Sequence, residues 1–149
     1  MKHQLKWPIL PLFIALSVAL GGCGVQAGAP AAGQAVAAVS NLKLKNLPAN
    51  VDAATVEELR QRDDVVILDV REDFEYNGGH IPGATLVPLG QIPNRLNEIP
   101  KDKTVIAVCR SGNRSLQATN FLRQQGFENV HNMAGGMKAW TRAGYQIEK

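Results

Sequence analysis

The sequence has few cysteines, few aromatic residues and no marked excess of one charge. Two cysteines in 149 residues exclude a disulfide scaffold. A cysteine-built zinc site is excluded too, because no cysteine or histidine stands at ligand spacing, and we expect no metal and no cofactor. Aromatic residues make up 5% and charged residues 19% of the chain, but 45% is hydrophobic. A chain of this length and composition can bury the core of one ordinary domain.

The formal charge of +3 is distributed unevenly along the chain. Lys2 and Lys6 stand near the N-terminus with no acidic residue beside them. Residues 42–149 contain 14 Lys and Arg against 13 Asp and Glu, which leaves a net charge of +1. The basic character therefore belongs in good part to the first residues, and we expect no nucleic acid as a partner.

The first residues have the pattern of a targeting signal. Lys2 and Lys6 precede an apolar run, Ile9–Leu20, that is too short to span a membrane but suits a signal peptide. The box Leu20-Gly21-Gly22-Cys23 resembles the end of a bacterial lipoprotein signal peptide. This resemblance implies that residues 1–22 are removed, that Cys23 is lipidated, and that the protein is held on a bacterial membrane outside the cytoplasm, in the periplasm or at the cell surface. The alternative is an ordinary secreted protein with a chance cysteine.

A low-complexity segment follows, and a domain-like sequence begins after it. Residues 24–41 are almost all Ala, Gly, Val, Gln and Ser, which predicts a flexible tether after Cys23. Residues 42–149 alternate strand and helix patterns. We predict strands over 65–68, 85–87, 104–108 and 129–131, and helices over 52–61, 72–77, 91–99, 115–125 and 137–143. This order predicts a single α/β domain, with a mainly parallel central sheet flanked by helices on both faces.

The most informative loop follows the predicted strand that ends at Val108. Cys109 stands directly after that strand, at the sheet edge where ligands bind in such folds. A loop containing Gly112 can turn successive N–H groups inward, which binds an anion and lowers the pKa of a thiol. The pattern therefore predicts Cys109 as a catalytic nucleophile. A buried, inert cysteine is the alternative, but it leaves the polar loop unexplained. We assign substrate binding to Arg110, Ser111, Gly112, Asn113, Arg114 and Ser115.

Two charged residues end the neighbouring strand. Asp69 and Arg71 follow residues 65–68, at the same predicted sheet edge as Cys109. We expect them to support the site through an ion-pair or hydrogen-bond network, such as Arg71 with Glu75, that fixes the loop there. A charged rim facing the substrate is the alternative. Gly135-Gly136, before the last predicted helix, suggests a close backbone approach near the pocket.

Several short motifs together resemble one known family. The segment Cys109–Arg114 is similar to the active-site loop of rhodaneses, the thiosulfate-type sulfurtransferases. Asp69–Glu72, Gly79–Ala84 and Gly135–Trp140 resemble the other signatures of that family, in the same order. The resemblance runs from about Leu47 to Gly144. It implies a single rhodanese-like domain.

The resemblance also implies a reaction. The Cys109 thiolate would take the outer sulfur of a small anionic donor such as thiosulfate, and a thiophilic acceptor, cyanide or a thiol, would remove it from the persulfide. A protein is a further candidate for the sulfur acceptor. Two alternatives stay open. One is a sulfur carrier that holds a persulfide without turnover. The other is a cysteine-dependent phosphatase or arsenate reductase, although phosphatases have one residue more than the four between Cys109 and Arg114.

The lipoprotein signal gives a first testable prediction. Cys23→Ser removes the acyl-accepting thiol, so we expect the variant to leave the membrane fraction while sulfur transfer is unchanged. Fractionation of cells expressing the variant or the unaltered chain, followed by immunoblotting and an activity assay, measures both properties. A variant that still sediments with membranes would show that the anchor is not on Cys23.

Overall fold

A parallel sheet of five strands forms the centre of the structure, a computed structural model that describes residues 44–149. The predicted signal peptide, Cys23 and the tether lie outside the described residues. The strands are β1 (Asn50–Val51), β2 (Val65–Asp69), β3 (Thr85–Leu86), β4 (Thr104–Val108) and β5 (Val130–Met133). Their order across the sheet is β1-β5-β4-β2-β3, and all neighbours are parallel.

Within residues 44–149, four α-helices and three short 3₁₀ helices precede, connect and follow the strands. The α-helices are α1 (Ala53–Leu59), α2 (Asp73–Asn77), α3 (Asn113–Gln124) and α4 (Gly136–Arg142). The 3₁₀ helices cover Leu44–Asn46, Leu89–Asn94 and Leu96–Glu98. Within residues 44–149, no helix has the length and apolarity that a membrane crossing requires.

The central strand β4 is buried along its whole length and supports both neighbours. Its five residues are all buried, as expected for a parallel strand that is covered on both faces. It pairs with β2 from Val65 opposite Thr104 to Asp69 opposite Val108. The two strands therefore end at the same level, so the chain that follows each one begins at the same edge of the sheet.

Helices cover both faces of the sheet, as predicted. On one face, Ile106 and Val108 of β4 share a hydrophobic cluster with Val56 of α1 and Trp140 of α4. On the other face, Val105 shares a cluster with Leu122 of α3 and Ile92. Trp140 is fully buried, and its indole Nε1 donates a hydrogen bond to the Gln146 carbonyl at 2.9 Å.

Three local predictions were wrong in detail. Residues 91–99 form no α-helix but parts of two 3₁₀ helices. The first of these begins at Leu89, and an α-helix from that residue would need an N–H on Pro93 to bind the Leu89 carbonyl. The two-residue strand β1 was not predicted, since so short a segment carries no periodic pattern. Helix α3 begins at Asn113 instead of Ser115, because Gly112 takes a left-handed φ of 96° and ends the loop early.

A buried ion pair holds the end of β2. The Arg71 guanidinium donates from Nη2 to Asp69 Oδ2 at 2.7 Å and to the Gly79 carbonyl at 2.9 Å. Both side chains are almost fully buried. The predicted pair of Arg71 with Glu75 was therefore wrong. Residues two apart in extended chain point to the same side, which makes Asp69 the nearer partner for Arg71.

The buried pair predicts a large loss of stability on mutation. Asp69→Leu leaves the Arg71 guanidinium buried without its carboxylate, so we expect the free energy of unfolding to fall by about 3–5 kcal/mol. Urea denaturation followed by circular dichroism measures this. Asp64→Leu is a matched control, because Asp64 also pairs with an arginine two residues away, Arg62, but at the surface. A loss no larger than the control's would contradict a stabilising role for the buried pair.

Candidate active site

The sulfur of Cys109 lies inside a tight loop between β4 and α3. Cys109 directly follows β4, and only Arg110, Ser111 and Gly112 separate it from α3. Its Sγ accepts a hydrogen bond from the Gly112 backbone N–H at 3.1 Å and contacts the Ser115 hydroxyl at 3.3 Å. Cys109 is 1% exposed, so the loop surrounds the sulfur much more closely than the sequence indicated.

Helix α4 fixes the backbone of this loop through two hydrogen bonds. The N–H of Met137 donates to the Cys109 carbonyl at 2.8 Å, and the N–H of Lys138 donates to the Arg110 carbonyl at 3.1 Å. The C=O and N–H of one trans peptide unit point in opposite directions. Because α4 binds the Arg110 carbonyl, the N–H of Ser111 in the same peptide unit points away from α4, to the side of the sulfur.

The close approach of α4 requires glycine, as the sequence suggested. A Cβ on Gly136 would lie 2.2 Å from the Cys109 carbonyl oxygen, and its φ of 53° is left-handed. Both conditions exclude a side chain at this position without movement of the backbone. Gly136 therefore permits the two hydrogen bonds that orient the loop.

The surroundings of Cys109 favour its thiolate. Burial on its own raises the pKa of the Cys109 thiol. Hydrogen bonds from the Ser115 hydroxyl and from the backbone N–H groups of Ser115, Ser111 and Gly112 outweigh that effect and hold the pKa below its usual value. The thiolate is therefore populated at lower pH than it is for an ordinary cysteine.

Asn132 is a site residue that sequence reasoning missed. The Ser115 hydroxyl lies 2.6 Å from Asn132 Oδ1, nearer than it lies to Cys109 Sγ. Asn132 Nδ2 in turn donates to Asn50 Oδ1 at 2.8 Å. A hydroxyl carries one proton, so Asn132 and Cys109 compete for it. One signal could have indicated this residue. Asn132 is a polar residue at a buried position of strand β5, where an amide needs a hydrogen-bond partner.

The two loop arginines differ in what they bind. Arg114 donates through Nη1 and Nη2 to the Glu75 carboxylate at 2.7 and 2.8 Å. This bond to Arg114 lowers the pKa of Glu75. Arg110 is exposed, as are Ser111 and Asn113. Among residues 44–149 no acidic side chain pairs with Arg110, so the loop offers one guanidinium without such a partner instead of the two that the sequence suggested.

A cleft of about 710 Å³ opens beside this loop. Its wall includes the two loop arginines and residues of α2, α4 and the C-terminal segment. The charged and large apolar side chains there include Arg71, Phe74, Arg110, Arg114, Lys138 and Ile147. Within residues 44–149, no three His, Cys, Asp or Glu side chains are grouped so as to hold a metal ion.

Comparison with known proteins agrees with this fold. Residues 52–143 match the Rhodanese-like domain family, and the chain belongs to it. A sulfurtransferase of Allochromatium vinosum is 45% identical over 91 residues, covering 61% of this chain and 85% of that protein. The thiosulfate sulfurtransferase GlpE of Pseudoalteromonas translucida is 38% identical over 94 residues, covering 63% of this chain and 90% of that protein. The crystal structure of a rhodanese-related protein from Thermoplasma volcanium has a TM-score of 0.63 and 31% identity, covering 68% of this chain and 98% of that chain.

The competition for the Ser115 proton predicts opposite effects of two mutations. Ser115→Ala removes a donor to the sulfur, so we expect the pH midpoint of Cys109 alkylation to rise. Asn132→Leu removes the competing acceptor and leaves the Ser115 proton to the sulfur, so we expect the midpoint to fall.

The rate of iodoacetamide labelling as a function of pH measures both midpoints. A Cys23→Ser background leaves Cys109 as the only cysteine. Melting temperatures of the variants control for loss of the fold. Midpoints that move in the same direction, or not at all, would contradict the competition between Asn132 and Cys109.

Proposed function

We propose that this protein is a sulfurtransferase that carries sulfur as a persulfide on Cys109. The observation that carries the proposal is the position of Cys109 Sγ within hydrogen-bonding reach of the Gly112 N–H and the Ser115 hydroxyl. These donors stabilise a thiolate, and they can equally stabilise the anion of a persulfide. Membership of the rhodanese-like family and the similarity to known sulfurtransferases support the same class of reaction.

In the first half-reaction, thiosulfate is the proposed donor. The Cys109 thiolate attacks the outer sulfur, a new S–S bond forms, and the S–S bond of thiosulfate breaks. The electron pair of the broken bond leaves with sulfite. The charge is conserved, since one thiolate and a dianion become one persulfide anion and a dianion. No general base is needed, because the hydrogen bonds to the sulfur favour its ionised form.

Arg110 is the proposed contact for the sulfonate end of the donor. It is exposed, lies next to Cys109 and lines the cleft, so its guanidinium is free to bind oxyanions. We propose a different role for Arg114. Because Glu75 holds both of its terminal nitrogens, Arg114 positions the first turn of α3 and adds positive charge near the sulfur.

In the second half-reaction, a thiophile attacks the outer sulfur of the persulfide. The bond between the two sulfurs breaks, and Cys109 leaves as the thiolate that its hydrogen bonds favour. Cyanide and thiols are both proposed acceptors. The same hydrogen-bond donors thus stabilise the Cys109 thiolate that attacks in the first half-reaction and the Cys109 thiolate that leaves in the second.

We also propose that the reaction takes place outside the cytoplasm on a lipid anchor. The proposal is supported by the box Leu20-Gly21-Gly22-Cys23 and by the low-complexity residues 24–41 that separate it from the domain. Such a tether would let the domain reach substrates near the membrane surface.

The test of the proposed function is the mass of the protein after incubation with thiosulfate. The Cys23→Ser substitution removes the residue predicted to carry the lipid, and it leaves Cys109 as the only cysteine of the chain. We expect this chain to gain the mass of one sulfur atom and to lose it again on addition of cyanide. The Cys23→Ser, Cys109→Ser double variant is the matched control and should gain nothing.

Two results would contradict the proposal. A sulfur atom that cyanide and thiols cannot remove would indicate a carrier without turnover. Uptake by the double variant, or hydrolysis of an aryl phosphate with no uptake of sulfur, would show that Cys109 does not do this chemistry.

A further inference from the structure

We propose that Asn50 is a positioning residue for Cys109, and that it acts by holding the Asn132 amide in the orientation that takes the proton of the Ser115 hydroxyl. The inference rests on the proposed function, because it concerns the same reacting sulfur. It extends the site to an exposed strand at the edge of the sheet. It is carried by three side-chain contacts in series and by the difference in exposure between the two ends of that series.

Four side chains form an unbroken series from the sheet edge to the sulfur. Asn132 Nδ2 donates to Asn50 Oδ1 at 2.8 Å, and the Ser115 hydroxyl donates to Asn132 Oδ1 at 2.6 Å. The same hydroxyl lies 3.3 Å from Cys109 Sγ. Asn50 belongs to the edge strand β1, Asn132 to β5 and Ser115 to α3, and Cys109 directly follows the central strand β4. The series therefore connects the edge of the sheet to the reacting atom.

The Asn132 amide presents either its oxygen or its nitrogen to Ser115. The oxygen only accepts hydrogen bonds, and the nitrogen only donates them. With Oδ1 toward Ser115, as in the structure, the amide takes the hydroxyl proton. With Nδ2 in that place, the amide would donate to the hydroxyl oxygen and leave the proton to Cys109. The orientation of one amide group thus decides what the hydroxyl does for the sulfur.

Asn50 supplies the acceptor that fixes this orientation. Asn132 is 4% exposed and Ser115 is fully buried, so the Asn132 amide has to find its partners within the protein. Among the described residues, its side chain forms hydrogen bonds with Ser115 and Asn50. Because the Asn50 oxygen satisfies Nδ2, the other end of the amide, Oδ1, stays turned toward Ser115.

The Asn50 side chain can be changed without loss of the strand pairing. Asn50 is exposed, and β1 is joined to β5 through the backbone. The N–H of Asn132 donates to the Ala49 carbonyl at 2.9 Å, and the N–H of Ala134 donates to the Val51 carbonyl at 2.8 Å. These bonds do not involve the side chain at position 50. An effect on the sulfur can therefore be separated from an effect on the fold.

The orientation that Asn50 holds moderates the ionisation of Cys109. The Ser115 proton stabilises a thiolate or a persulfide anion when it is donated to the sulfur, and Asn132 competes for that proton. A thiolate becomes a weaker nucleophile as its pKa falls. Holding the competing acceptor in place thus keeps Cys109 ionisable without lowering its nucleophilicity as far as the loop donors alone would do.

The test changes what residue 50 offers to Asn132 and measures the pH midpoint of iodoacetamide labelling of Cys109 in a Cys23→Ser background. Asn50→Leu removes the acceptor and leaves the Ser115 oxygen as a partner for Asn132 Nδ2. We expect the midpoint to fall by about 0.5 pH unit or more. Asn50→Asp supplies a carboxylate of nearly the same shape, which only accepts and holds Nδ2 more strongly. We expect the midpoint to rise by about the same amount.

Ala49→Asp is the matched control for the added charge. Ala49 is exposed and adjacent to Asn50, and successive side chains of an extended chain point to opposite sides. The new carboxylate therefore lies close by without contacting the Asn132 amide, and we expect a much smaller shift of the midpoint than Asn50→Asp gives. None of these variants alters the neighbouring charged or titratable residues, which are Arg110 and Arg114 next to the sulfur and His131 on β5.

A second substitution separates positioning from a merely structural role. In an Asn132→Leu background there is no amide to orient. Asn50→Leu should then leave the midpoint unchanged, and Asn50→Asp should move it no further than Ala49→Asp does. Melting temperatures of all variants check that the fold is retained.

The outcomes distinguish this inference from the proposed function. Midpoints that the two Asn50 variants leave unchanged, that they move in the same direction, or that they move equally in the Asn132→Leu background would overturn the role of Asn50. Labelling does not require sulfur transfer, so such a result leaves the proposed function intact. If the midpoints move as expected but no chain gains sulfur from thiosulfate, the proposed function is overturned and the positioning of Asn132 by Asn50 is supported.

Discussion

Two backbone hydrogen bonds from α4 to the loop after β4 determine the geometry of the whole site. The N–H groups of Met137 and Lys138 bind the carbonyls of Cys109 and Arg110. With these carbonyls held, the remaining N–H groups of the loop are free to face the sulfur. The requirement for glycine at position 136 follows from this contact, since a Cβ there would overlap the Cys109 carbonyl. The fold therefore builds the thiolate site from main-chain N–H groups together with the Ser115 hydroxyl.

The charged side chains around the site fall into two groups. Asp69 with Arg71 forms a pair that joins the end of β2 to the Gly79 carbonyl after α2, and Glu75 with Arg114 forms a pair that connects α2 to α3. Arg110 and Lys138 have no such acidic partner among the described residues and face the cleft. The paired residues hold the framework, and the unpaired ones are available to ligands. This division explains why four cations around one cleft need not all bind substrate.

Much of the fold and the centre of the site could be predicted from the sequence. The β-branched runs of β2 and β4 are unambiguous, and a cysteine after such a strand, followed by a polar glycine-containing loop, indicates a thiol surrounded by N–H groups at the edge of the sheet. The ion pairs could not be predicted as well from the sequence. Whether Glu75 binds Arg71 or Arg114 depends on how α2 lies against α3, and sequence spacing does not determine it. Asn132 was missed for the same reason, because its partner Ser115 comes from a different element and meets it only in the folded sheet. The 3₁₀ helices around Pro93 show how one residue without an N–H overrides an otherwise helical pattern.

The central claim is that the loop keeps Cys109 ionised, so that sulfur transfer needs no separate base. The most direct test is the rate of persulfide formation from thiosulfate in a single turnover, measured by stopped flow across pH and compared with the alkylation profile of Cys109. A lowered pKa means that the thiolate forms at lower pH than that of an ordinary cysteine and is lost as the pH falls through that lowered value. We predict a rate that is flat above this value and falls below it, with the same midpoint as alkylation. A rate that still rises through the usual pKa range of a thiol, or that follows a different midpoint from alkylation, would contradict the account.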